Sequence, residues 1–283
     1  MIIAVASGKG GTGKTLLSTS LALSAPAGCY ADLDVEEPNG ALFIGPTISE
    51  DRTFSVPVPH IDTQACTFCG KCAQACVFNA IAIIPKVQSA VVYADLCHGC
   101  GVCSFVCPVE SAIQEKQKPI GRVRTGRHNS TEFIEGRLKI GIPSAVPLIG
   151  HVAETAIPKG GTVILDSSPG TSCNMVESVR KSDYIILITE PTPFGLHDLS
   201  LAVQVARDLG KPCGIVINKS RGKDHLIEDF CRERSLPILL KIPYSLDIQH
   251  GYAEGKPLIE VQPEMKPILD NMLKNIRKTH ESF

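Results

Sequence analysis

The sequence predicts an α/β fold: a doubly wound, mostly parallel sheet interrupted by a small inserted α+β domain. Three observations predict it. Short apolar runs rich in β-branched residues alternate with helical patterns, as expected for parallel strands covered by helices on both faces. A glycine-rich loop, "GKGGTGKT" (8–15), lies between the first apolar run and the first helical pattern. Eight of the twelve cysteines fall between Cys66 and Cys107, where the alternation stops.

The expected strands are 2–7, 29–34, 162–168, 184–190, 213–219 and 238–243, and the expected helices include 14–25, 144–157, 196–209 and 224–234. Between about 57 and 118 the pattern changes. Pro57 and Pro59 open this segment and "KQKPIG" closes it. The segment carries an internal repeat: Cys66, Cys69, Cys72 and Cys76 recur 31 residues later as Cys97, Cys100, Cys103 and Cys107, and each copy ends in a similar tail ("VFNAIAI", "PVESAIQ"). The expected organisation is therefore a discontinuous α/β domain, 1–56 and 119–283, around an insert at 57–118. "IGRVRTGR" and "TEFIEGRLKIG" read as a hairpin where the α/β pattern resumes.

Composition narrows the function. A net charge of −1 gives no general electrostatic reason to bind nucleic acid or anionic lipid. No apolar run reaches the length of a membrane span. The start "MIIAVAS" has no basic leader and runs into the glycine loop, so the expected location is cytoplasmic. Clustered cysteines in such a chain are metal ligands more often than disulfides.

The loop matches G-x-x-x-x-G-K-[ST], with a strand before it and a helix after it. Gly8, Gly10, Gly11 and Gly13 leave backbone N–H groups free to face phosphate oxygens, and the helix start adds a favourable dipole. Lys14 would reach the β- and γ-phosphates and Thr15 would ligand Mg²⁺. The plain alternative is a glycine-rich turn that matches by chance. Asp32 and Asp34 end the second expected strand, at the edge where α/β proteins bind ligands; their plain alternative is a strand-end turn.

With the extra Lys9 after the first glycine and the "DLD" at 32–34, the chain resembles the deviant-Walker ATPases of the MinD/ParA/Mrp group, relatives of the nitrogenase iron protein. The resemblance covers about 1–56 and 119–260. It implies ATP/ADP and Mg²⁺ as ligands and a homodimer closed around nucleotide. Lys9 would cross to the partner's nucleotide. Asp34 would orient the attacking water, so that Lys9, Lys14 and Asp34 carry catalysis. In "LDSSPG", Asp166 would hold Mg²⁺ through water and the Gly170 N–H would sense the γ-phosphate. Asn218, in "VINK", would recognise adenine, with Pro243 in the loop after the last strand. Leu16 stands where many relatives have a second hydroxyl residue. The C-terminal "MLKNIRKTHESF" resembles a surface helix packed on the sheet more than MinD's membrane-targeting helix.

Each cysteine run reads C-x2-C-x2-C-x3-C, the bacterial two-cluster ferredoxin spacing. Tetrahedral zinc, the alternative, uses separated pairs of cysteines. The ferredoxin resemblance implies two 4Fe–4S clusters with exchanged fourth ligands: Cys66, Cys69, Cys72 and Cys107 for one, and Cys97, Cys100, Cys103 and Cys76 for the other. Gly70, Gly99 and Gly101 lie where backbone passes close to sulfide. Pro108 follows the second run, and Val77 replaces the corresponding proline of the first. His98, inside the second run, reads as an exposed loop histidine or as a residue that tunes its cluster. Cys173, just past "LDSSPG", reads either as a buried helix-start thiol or, by the nitrogenase resemblance, as a residue facing its mate across a dimer.

The expected function is ATP binding and hydrolysis coupled to electron transfer or to iron–sulfur or metal-cluster assembly on an unknown client protein. The alternative is a MinD/ParA-like positioning ATPase with structural or redox-sensing clusters.

Overall fold

The computed structural model describes residues 1–159 and 161–281. Its strands are β1 (Ile2–Ala6), β2 (Cys29–Asp32), β3 (Thr47–Ile61), β4 (Ile81–Ile84), β5 (Ser89–Val92), β6 (Ile113–His128), β7 (Thr131–Leu138), β8 (Val163–Asp166), β9 (Tyr184–Thr189), β10 (Cys213–Ser220) and β11 (Ile238–Pro243). Its α-helices are α1 (Lys14–Ser24), α2 (Gly40–Ile44), α3 (Lys71–Ala75), α4 (Val102–Val106), α5 (Val146–Ala156), α6 (Cys173–Val179), α7 (Pro193–Asp208), α8 (His225–Glu233), α9 (Leu246–Ala253), α10 (Leu258–Val261) and α11 (Met265–Glu281). The chain forms two compact units. The first comprises Met1–Arg52, Val123–Arg137 and the chain from Leu148 onward; the second comprises Thr53–Arg122 and Leu138–Pro147.

The fold is α/β with one large sheet in the order β11-β10-β9-β1-β8-β2-β7-β6-β3. Neighbours from β11 to β7 pair in parallel. Ile3–Ala6 and Ile185–Leu187 have no exposed surface, which is why these strands read as unbroken apolar runs instead of alternating ones. β6 and β7 are sheet neighbours joined by a two-residue turn in which Asn129 takes a left-handed φ of 49°, giving the expected hairpin.

Several boundaries differ from expectation for identifiable reasons. β2 stops at Asp32 because the Asp32 carboxylate captures loop N–H groups: Asp34 on Oδ1 (3.1 Å), and Asn39 (3.2 Å) and Gly40 (2.9 Å) on Oδ2. α7 starts earlier than the pattern suggested. Thr192 caps it by accepting from the Gly195 N–H, and Pro193 takes the first turn. Pro57 and Pro59 lie inside β3 and do not break the chain; β3 is an edge strand, where a missing N–H is tolerated. Pro119 likewise lies inside β6. In α11, Met265, Leu269, Met272 and Ile276 fall on one buried stripe at spacings of four, three and four, and the helix packs against α1. Among the described residues no helix is long and apolar enough to cross a membrane.

In the second unit, β4 and β5 form an antiparallel hairpin, with Ile81 opposite Val92 and Ile84 opposite Ser89. The sequence repeat appears as a structural repeat. Gly70 and Gly101, 31 residues apart, are left-handed residues (φ 76° and 73°) that open the short helices α3 and α4. Phe68 and Gly99, also 31 apart, are both left-handed (54° and 68°). A small buried cluster of Ile61, Cys72, Ile81 and Cys103 forms the core here.

Candidate functional site: a nucleotide cleft and two cysteine pockets

The first unit holds an open cleft of about 1150 Å³ at the start of α1. Gly10, Gly11, Gly13, Lys14, Thr15, Asp34, Asn218 and Pro243 line it, with Tyr244 and Tyr252 as aromatic walls. No side chain caps α1, so its first-turn N–H groups are left for a ligand. Gly13 has φ 98°, and a Cβ there would collide with the Asn218 amide. A Cβ at Gly8 would strike the backbone and side chain of Asp198. Gly8 and Gly13 are thus fixed by crowding, whereas a Cβ at Gly10 or Gly11 would meet nothing within 4 Å.

Other expected residues are placed less simply. Asp32 does not line the cleft: it is buried, and both oxygens brace the loop that follows β2. Asn218 lines the cleft but already donates to the Thr12 carbonyl (2.7 Å) and accepts from the Lys219 N–H (2.8 Å), so it also braces the loop. The Gly170 N–H, which the resemblance assigns to the γ-phosphate, donates to the Ser7 carbonyl (3.1 Å). Lys9 is about one-third exposed and faces Glu190 at 3.9 Å. Lys219 shares that carboxylate at 2.7 Å. Sequence reasoning missed Glu190, whose carboxylate holds both lysines beside the loop.

Asp166 ends β8 in register with Asp32 on β2. Both are buried, and their carboxyls are pushed up, first by burial; Asp32 is raised further by the charge of Asp166, while Lys14 opposes the rise at Asp166. Asp166 Oδ2 accepts from the Tyr30 hydroxyl (2.8 Å), whereas Oδ1 has no partner. Asp34 is pushed up to about 6, mainly by burial, with Lys14 acting against the shift and Asp166, Glu36 and Glu37 adding to it. Buried, mutually repelling carboxylates and an orphaned oxygen fit a hydrated divalent cation near Thr15.

The eight clustered cysteines line two pockets in the second unit. One is lined by Cys66, Cys69, Cys72 and Cys107. The other is lined by Cys76, Cys97, Cys100 and Cys103. All eight thiols are free. Backbone N–H groups point at sulfur in both: Phe68 to Cys66 (3.3 Å), Gly99 to Cys97 (3.4 Å) and Ala80 to Cys76 (3.3 Å). The backbone N–H of Lys71 leads the effects that lower the Cys69 thiol, whereas burial raises Cys72 and Cys103. Among the described residues no group of three or more His, Cys, Asp or Glu side chains could hold a metal ion. It supports neither a four-cysteine zinc site nor the expected 4Fe–4S clusters.

His98 is not an exposed loop residue. It lines the second pocket and stacks on Phe78, with centroids 3.7 Å apart and planes 6° apart. Cys173 is exposed at the start of α6, so the buried-thiol reading is wrong.

Two uncharacterized proteins of Methanocaldococcus jannaschii are similar along the chain. MJ0579 is 28% identical over 269 residues, covering 92% of each chain, and MJ0578 is 30% identical over 249 residues, covering 86% of each. Among solved structures, the cell division ATPase MinD of Pyrococcus furiosus superposes with a TM-score of 0.59 at 17% identity, covering 97% of this chain and 98% of that one. The septum site-determining protein MinD of Pyrococcus horikoshii, complexed with Mg-ADP, gives 0.58 at 18% identity, covering 98% and 96%. At these identities the likeness concerns the fold. A family model described as the CobQ/CobB/MinD/ParA nucleotide binding domain matches residues 3–258. With that match spanning most of its length, the chain belongs to the CobQ/CobB/MinD/ParA nucleotide-binding family.

Proposed function

We propose that this protein is an ATP-hydrolysing molecular switch whose cysteine-rich unit holds two 4Fe–4S clusters. The observation that carries the nucleotide half is the cleft at the uncapped start of α1, lined by Lys14 and Thr15, both of which act on the buried Asp166 carboxyl. Loop N–H groups and the Lys14 ammonium bind the phosphates. Thr15 and Asp166 hold Mg²⁺, which neutralises charge on the phosphate oxygens when bound. Asp34, at the cleft wall, orients the attacking water once it is ionised. Lys9 reaches the nucleotide of a second copy, which requires it to leave Glu190.

The cluster half rests on the grouping of the cysteines. Each pocket takes three from one run and the last from the other, the ligand exchange of a two-cluster ferredoxin. The clusters accept and release single electrons when bound. On this reading nucleotide-driven dimerisation serves electron transfer or cluster assembly on a client protein. A second reading, a positioning ATPase with structural or redox-sensing clusters, is favoured by the likeness to MinD.

The test is light scattering and phosphate release with ATP and Mg²⁺, before and after reduction. Dimerisation and hydrolysis lost in Lys9→Ala and Lys14→Ala support the switch. A monomer that releases no phosphate under either condition contradicts it. Rates that change with reduction favour redox coupling over the positioning reading.

A further inference from the structure

We infer that Tyr30 is a positioning residue of the nucleotide site: its hydroxyl fixes one oxygen of Asp166 and so presents the other, Oδ1, to the hydrated Mg²⁺ that accompanies the nucleotide. The inference rests on the nucleotide reading above and adds a residue that the loop motif does not contain.

Tyr30 has no exposed surface. A buried phenol needs a hydrogen-bond partner, and this one donates to Asp166 Oδ2 at 2.8 Å. The other oxygen, Oδ1, is equally buried and has no hydrogen-bond partner of ordinary geometry, with the Thr15 and Ser18 hydroxyls near enough to lower the carboxyl. Strand register explains the reach. Tyr30 lies opposite Ile164 and Asp32 opposite Asp166, so Tyr30 and Asp32 share one face of β2, two residues apart.

The ring has little freedom to move. It stacks on Phe133 of β7 with centroids 5.8 Å apart and planes 16° apart. Gly40 closes the other side: a Cβ there would collide with the Tyr30 hydroxyl. The Gly40 N–H in turn donates to Asp32 Oδ2, so the loop after β2, the Asp32 carboxylate and the tyrosine form one packed unit. A carboxylate held by one fixed bond loses less orientational freedom when its second oxygen takes up a ligand. A tyrosine that merely filled the core would be equally well served by any acceptor. This one is bonded to the carboxylate whose other oxygen is left open.

The test is calorimetric ADP binding across a Mg²⁺ titration, with thermal stability measured alongside. Tyr30→Phe keeps the ring and removes the hydroxyl. It should raise the Mg²⁺ concentration for half-maximal effect about tenfold, the size of one hydrogen bond to a charged group, and leave Mg²⁺-free ADP affinity unchanged. Gly40→Ala, which displaces the hydroxyl with the tyrosine in place, should shift it in the same direction and serves if Tyr30→Phe does not fold. Phe133→Leu disturbs the ring packing alone and should lower the melting temperature with a smaller Mg²⁺ shift. A Mg²⁺ requirement in Tyr30→Phe or Gly40→Ala equal to or below that of the parent protein overturns the inference while leaving the nucleotide reading intact. A parent protein that binds no ADP at any Mg²⁺ concentration overturns both.

Discussion

The two compact units are held together by different physics. The first buries whole strands of aliphatic residues, from Ile3 and Val5 through Ile164, Ile186 and Val216, with Tyr30 and Phe133 among them. Among the described residues the second has a small buried cluster of Ile61, Cys72, Ile81 and Cys103, two of them cysteines, beside scattered buried residues such as Val56, Phe68 and Ile120, and it leaves Val77, Val87, Phe105 and Leu96 exposed. A core of that size rarely stabilises a domain without a staple. The first unit should therefore fold whether or not its cleft is filled. The second should depend on what its cysteines bind, because ligation and folding share one free energy.

The largest expected effect breaks this contrast directly. Removing metal with a chelator under anaerobic conditions should abolish hydrogen-exchange protection in 62–112 while β1, β8 and β9 keep theirs. Uniform loss or uniform retention across both units would mean that the contrast is wrong. Next in size, Lys14→Ala should weaken MgATP binding by about a hundredfold or more, through loss of charge-assisted bonds to phosphate, and leave unchanged the brown absorption that the proposed clusters would give the second unit.

Asp34→Asn should have a smaller, two-sided effect. Its carboxyl is pushed up to about 6, so it is protonated below that pH and ionised above it. Hydrolysis by the parent protein should fall as pH drops through about 6, and Asp34→Asn should be slower by roughly a hundredfold at pH 7.5. The stability effect has the opposite sign. A raised folded-state carboxyl favours folding most at low pH and loses that contribution as pH rises through 6. Asn avoids the buried charge, so Asp34→Asn should stabilise the nucleotide-free protein by about 1–2 kcal/mol at pH 8, a gain that vanishes towards pH 4. Melting temperatures across that range check it. The smallest effect is expected at Cys173, an exposed helix-start residue: Cys173→Ser should change stability by less than about 0.5 kcal/mol. A measurable loss of metal content or of dimer would instead place that thiol at an interface.

The same contrast explains what could be read from sequence. Strands such as 184–190 and 2–7 were legible because near-complete burial writes an unbroken apolar run. The glycine loop was legible because phosphate binding constrains backbone locally. The roles of Asp32 and Asn218 were not, since each bonds to residues several to hundreds of positions away, Gly40 and Thr12. Glu190 gave no signal at all, being an ordinary acid after a strand. Tyr30 had a weak one: period-two spacing before Asp32 puts both on one strand face. In the second unit the cysteine spacing was plain, but the short helices α3 and α4 carry no helical periodicity, being only five residues each. The prolines of β3 misled because edge position cannot be seen in one sequence.

In the proposed function, two exchanged sets of four cysteines make this chain a two-cluster iron–sulfur protein. Iron and acid-labile sulfide per chain after anaerobic reconstitution test it most directly. About eight of each are expected for the parent protein, falling to about four when Cys107→Ser or Cys76→Ser removes the exchanged ligand of one set. Zinc in place of iron, or no bound metal, would contradict it.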